Sequence, residues 1–183
     1  MDVSSEQYYL ALLQFLQVPW LQSCILQGIA HSVSSGAEDL MRVSRLALVQ
    51  SVTSNSPGFS MDGVLDTLVA LLEDSYADER QATPLLETIA FVVEQHIELG
   101  GRLEDEPSAR RLWNLVRKAH FKSTNIRKLE AAVKIYGALA AHGDMRKKAL
   151  GRLGDLLLHP YPTVSTCCGS VVLTAHDVRW HLC

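Results

Sequence analysis

The sequence is poor in the features that mark most catalytic, secreted or membrane proteins. It has four cysteines, Cys24, Cys167, Cys168 and Cys183, and no Cys-x-x-Cys pair. Their spacing outlines no disulfide framework, which excludes a small cystine-stapled fold and suits a reducing, cytosolic compartment. Long apolar runs are also missing. Stretches such as residues 89–93 are brief, far below the ~18 apolar residues that a membrane-spanning helix needs, so no membrane insertion is expected. The opening Met1-Asp2-Val3-Ser4-Ser5-Glu6 has no basic segment leading into an apolar one, and no signal peptide is expected. There is no Gly-rich phosphate loop, no Walker lysine, no His-Glu-x-x-His and no Gly-x-Ser-x-Gly elbow. No enzymatic activity and no cofactor are expected.

What is present is helical periodicity. Apolar residues make up 48% of 183 residues, with a mean hydropathy of +0.08, enough for one cooperative core or a short array. Apolar positions recur at i, i+3, i+4 and i+7, and strict alternation is absent. Stripes begin at Tyr9, Leu21, Leu40, Leu65, Leu86, Leu112, Leu129 and Leu150, with a weaker ninth from Val164. The predicted core includes Leu13, Ile25, Leu68, Leu72, Leu86, Ile89, Leu115, Val133, Leu153 and Leu157. Turn chemistry separates the stripes: Val18-Pro19, Ser34-Ser35-Gly36, Asn55-Ser56-Pro57-Gly58, Gly100-Gly101 and His159-Pro160-Tyr161-Pro162. Gly143-Asp144 reads as the end of the seventh helix and the cap of the eighth.

The leading residues of alternate helices, Leu21, Leu65, Leu112 and Leu150, are spaced by 44, 47 and 38 positions. Periods of ~40–47 residues belong to HEAT and armadillo repeats, whose helix pairs bury their apolar faces by stacking. The predicted fold is therefore all-α, a HEAT/armadillo-like α-solenoid of antiparallel helix pairs, and a plain helical bundle is the alternative. Residues 1–164 read as helical repeats, the first helix as an unpaired half-repeat, and residues 165–183 as an atypical, poorly ordered tail. In that tail Gly169 and the β-branched Val171-Val172 lower helix propensity.

Charge is distributed unevenly. Net charge is −3, yet residues 1–107 carry a balance of −12 and residues 110–152 a balance of +10. Such asymmetry marks either a basic surface for an acidic partner or simply solvated helix faces. Few aromatics interleave with the cations, so no nucleic acid is expected. Alternate helices of a solenoid lie side by side, which makes Arg117, Lys118, Lys122, Arg127, Lys128, Arg146, Lys147 and Lys148 the candidate partner-binding residues. Three of these, Arg146, Lys147 and Lys148, are consecutive and fan out around the start of the eighth helix, where the dipole disfavours cations. The seven histidines are scattered. Cys167, Cys168, His176, His181 and Cys183 resemble a metal site only in composition, because adjacent cysteines on a helix point in different directions and the spacing matches no zinc finger. The tryptophans Trp20, Trp113 and Trp180 are expected in the core.

The eighth helix carries a resemblance. Gly143-Asp144-Met145-Arg146-Lys147-Lys148-Ala149-Leu150, followed by Leu156-Leu157-Leu158-His159-Pro160-Tyr161-Pro162, resembles the C-terminal region of the tubulin-folding cofactor D family. Lys128-Leu129, Tyr136-Gly137, residues 66–74 and Pro84-Leu85-Leu86-Glu87-Thr88 are also similar. The likeness runs from about Tyr8 to Val164, is most specific over residues 143–162, and departs from the family pattern at Ser165-Thr166-Cys167-Cys168-Gly169. The resemblance implies the C-terminal end of a longer HEAT solenoid that binds β-tubulin after the chaperonin and aids assembly of the αβ-tubulin dimer. It implies as partners the sister folding cofactors and an Arf-like small GTPase, and GTPase activation only as part of that assembly. The implied location is the cytoplasm, with association with microtubules and the centrosome. A general HEAT/armadillo protein–protein adaptor is the alternative.

Overall fold

The computed structural model describes residues 3–35, 38–53, 60–98, 107–141 and 145–177. Among the described residues there are nine α-helices and no strand, as the periodicity predicts. They are α1 (Val3–Gln14), α2 (Pro19–Ser35), α3 (Glu38–Thr53), α4 (Met61–Ser75), α5 (Glu79–Glu98), α6 (Pro107–Ala119), α7 (Ile126–Ala141), α8 (Arg146–Leu157) and α9 (Pro162–Asp177), with a 3₁₀ turn at Phe15–Gln17. The chain divides into two compact units, 1–92 and 93–183, and the division falls within α5.

In the first unit, Val18 is extended, as a residue before proline must be. Proline then opens α2, where its missing N–H costs nothing. The Val18 carbonyl accepts from the N–H groups of Leu21 and Gln22 and closes the first turn. Helix α4 starts on Ser60, whose hydroxyl accepts from the Gly63 N–H at 3.1 Å, a cap worth ~0.5–2 kcal/mol. Its apolar stripe, Met61, Val64, Leu65, Leu68, Val69 and Leu72, is wholly buried. Asp78 caps α5 by accepting from the Arg80 N–H at 3.0 Å. Helix α1, expected to be unpaired, packs along α3, while α2 packs on both α3 and α4. Gln27 donates to Gln81 across α2 and α5, and Arg45 of α3 lies over the Phe91 ring.

The second unit is built around α7. From Leu129 to Ala140 every residue is buried except Glu130 and Lys134. Burial on nearly every side needs cover on nearly every side; α6, α8 and α9 all pack on it. The turn between α6 and α7 is short, and Asn125 caps α7 by accepting from the Lys128 N–H at 3.3 Å. Short turns between packed helices make antiparallel hairpins. The contacts of α9 with α7, like those of α1 with α3 and of α2 with α4, join helices to the next but one. That is the stacking pattern of a helical solenoid.

Other expectations change. The buried stripe of α8 is Ala149, Leu153 and Leu156, whereas Leu150 is 38% and Leu157 39% exposed. Both registers fit a 3.6-residue period, and α7 and α9 select the one with the smaller side chain at its head. The boundary placed at residue 164 falls inside α9, a regular helix that runs to Asp177. Its Val171 fills a notch at Gly137 of α7, where an added methyl would overlap the valine Cγ1. Cys168 is buried and donates its S–H to the Leu153 carbonyl at 3.0 Å. Residues 178–183 lie outside the described residues. The expected cap of α8, Asp144, lies outside the described residues; Met145, which precedes the helix, makes no side-chain cap. The other predicted core residues are buried. Trp113 is buried, Trp20 is 76% exposed, and Trp180 is not among the described residues.

Candidate partner-binding surface

The strongly amphipathic α6 buries Ala109, Leu112, Trp113, Leu115, Val116 and Ala119 against the second unit and leaves Arg110, Arg111, Arg117 and Lys118 exposed. Arg117 and Lys118 occupy its last turn, where the helix dipole favours cations. The chain then turns through Lys122, a non-glycine residue at φ 55°. Its ammonium lies 5.4 Å from the centre of the Phe121 ring, and that ring is itself 70% exposed.

Arg117, Lys118, His120 and Phe121 line an open cleft of about 390 Å³ together with Arg152 of α8. Under it, His120 Nε2 meets the Tyr136 hydroxyl at 2.7 Å. The Tyr136 ring stands edge-on to His120 at 5.6 Å and tilted against Trp113 at 5.0 Å. Burial, followed by the charges of Arg152 and Lys128, holds the His120 pKa below the usual imidazole value, while its backbone hydrogen bond acts in the opposite sense. Burial pushes the Tyr136 phenol well above its ordinary range. The pair is thus a neutral floor beneath a cationic rim. Arg152 also bonds Asp155 Oδ2 at 3.0 Å, an ion pair between exposed side chains.

The structure brings only part of the predicted set together. Arg117 and Lys118 line the cleft; Lys122, Arg127, Arg146, Lys147 and Lys148 do not. Lys122, Arg127, Lys147 and Lys148 are exposed, and Arg146 is half-buried at the start of α8, as three consecutive residues on one turn require. Lys128 is a correction: it is 5% exposed. Its main-chain N–H is committed to Asn125, and its charge acts on His120 within the unit. Arg152, His120 and Phe121 were not among the predicted site residues, because no spacing rule connects position 152 with 117–121.

Among the described residues no group of three or more His, Cys, Asp or Glu is placed to hold a metal ion. Of the metal-like tail, Cys168 faces the interior and Cys167 is half-buried. Burial, then the neighbouring Cys167, pushes the Cys168 thiol to about 11, so it stays protonated and unreactive. His181 and Cys183 lie outside the described residues. Also among the described residues, no helix is long and apolar enough to cross a membrane.

These features define an all-helical repeat protein with a cationic cleft on one unit. The chain belongs to the tubulin folding cofactor D C-terminal family: the model of that family, "Tubulin folding cofactor D C terminal", matches residues 2–128. The match takes in α6 and the start of α7. It stops short of residues 143–162, where the sequence resemblance is most specific. No solved structure matches the chain.

Proposed function

We propose that this chain binds β-tubulin in the post-chaperonin folding pathway and aids assembly of the αβ-tubulin dimer, using the basic surface of α6–α8. The family match over residues 2–128 carries this reading. The concentration of exposed cations on the second unit supports it, since tubulin is an acidic partner. The chain acts by binding rather than by catalysis. GTP hydrolysis by tubulin is stimulated by an assembly with the sister cofactors and an Arf-like small GTPase, to which this chain contributes surface and no catalytic group. It works in the cytoplasm, at microtubules and the centrosome.

The test is capture of purified tubulin by the immobilised full chain. Retention of β-tubulin well above bare matrix, falling with added salt, is expected. No retention at low salt removes the proposal. A parallel capture from cytosol that retains other clients without tubulin favours a general helical adaptor.

A further inference from the structure

We propose that the cleft between the end of α6 and α8 is a docking site for an acidic peptide segment, with Arg117, Lys118 and Arg152 holding its carboxylates and Phe121 packing against an adjacent apolar side chain. This rests on the reading that the basic face meets the partner, and it names the kind of segment recognised.

Charge complementarity identifies the occupant. Three cations from two helices line the opening, and among the described residues no carboxylate does. Arginine presents a planar fork that matches a carboxylate through two parallel hydrogen bonds. One acidic side chain competes from within: Asp155 holds Arg152 at 3.0 Å. Both partners are largely exposed, and such pairs are worth only ~0–1 kcal/mol, so an incoming carboxylate displaces Asp155 easily. The exposed Phe121 has no role in binding a free inorganic anion, but it gives a peptide an apolar contact beside its charges. About 390 Å³ accommodates a few side chains rather than a folded surface. An extended nucleic acid fits less well, because residues 1–107 carry a balance of −12 and among the described residues only Phe121 offers an exposed ring at the cleft. The floor is preorganised: the His120–Tyr136 hydrogen bond fixes the imidazole, so binding need not order it.

The test uses the full chain and a fluorescently labelled ten-residue peptide of glutamates with one central leucine, read by anisotropy at low salt. Two probes serve as controls, the same peptide with glutamine for glutamate and a ten-nucleotide single-stranded DNA. The glutamate peptide should bind and the glutamine peptide should not. Arg117→Glu with Arg152→Glu should weaken binding about tenfold or more, with helicity unchanged by circular dichroism. Asp155→Asn frees Arg152 and should tighten binding roughly threefold. Asp74→Asn, the same change of net charge in the first unit, should leave it unchanged. Three results would overturn the assignment: no binding of the glutamate peptide, equal binding by the doubly reversed variant, or DNA binding as tight as the peptide. Tubulin capture that survives the double reversal retains the proposed function and discards this cleft. Peptide binding without tubulin capture does the reverse.

Discussion

Helices α7 and α8 are neighbours in sequence and in space, yet they are built for different ends. Between Leu129 and Ala140, α7 buries nearly everything, and its exposed Lys134 makes an ion pair to Glu94 at 3.6 Å. Helix α8 buries only Ala149, Leu153 and Leu156 and exposes leucines, two glycines and a run of cations. Its first turn carries Arg146, Lys147 and Lys148 and, among the described residues, no acidic residue and no side-chain cap, all against the preference of a helix N-terminus. Helix α6 carries its cations at the favourable end. Stability is therefore concentrated in α7, and α8 keeps surface residues that helix stability does not explain.

The largest expected effect separates the two faces of α8. Leu153→Ala removes a side chain with no exposure and should cost ~2–5 kcal/mol in chemical denaturation. Leu157→Ala, at 39% exposure, should change stability by no more than about 0.5 kcal/mol. Equal costs would mean that α8 is rotated from the register described. Next, Gly137→Ala forces a methyl into Val171 across α7 and α9. The overpacking should cost ~1–3 kcal/mol, although alanine is the better helix former. A companion Val171→Ala change should recover most of it, and additive losses would break the link between α7 and α9. Smaller still is reversal of Arg146, Lys147 and Lys148 to glutamate. Placing acids at the N-terminus of α8 should raise stability by ~0.3–1 kcal/mol while weakening tubulin binding; unchanged binding across low and high salt removes these three residues from the mechanism.

The smallest effect is a pH dependence. The His120 pKa is lowered in the folded chain, chiefly by burial and then by Arg152 and Lys128. The unfolded chain therefore takes up this proton first as the pH falls. The stability tied to neutral His120 is fully present above about 6.5, the ordinary imidazole value, and is lost progressively as the pH falls from there to the lowered folded value. His120→Gln should flatten that part of the stability–pH curve relative to wild type. An identical slope in both would assign the effect to other histidines.

Much of this fold is legible in the sequence, because helix period and punctuation are local. The proline after Val18 and the His159-Pro160-Tyr161-Pro162 turn each mark a boundary through chemistry within a few residues. The rotation of α8 is not local. Leu150, Leu153 and Leu157 make as good a stripe as Ala149, Leu153 and Leu156, and only packing against α7 and α9 chooses between them. Val171 reads as a poor helix residue until its glycine partner is found 34 positions earlier. The basic character of α6–α8 was visible in the charge balance. The pairing of Arg117 with Arg152, and of His120 with Tyr136, depends on how helices cross, so no motif announces it. Lys128 shows the converse, since a cation within a basic stretch is not thereby at the surface.

The near-complete burial of α7 between Leu129 and Ala140 has a consequence during synthesis. Part of its cover is α9, whose last residue follows the last residue of α7 by 36 positions. At ~5–20 residues per second, translation leaves the most apolar helix of the second unit half-clothed for about 2–7 seconds. For that interval the nascent chain presents the groove around Gly137 that Val171 later closes. A chain halted after α8 would keep the groove open, and this predicts that truncation at residue 161 yields an aggregating product where the full chain stays dispersed.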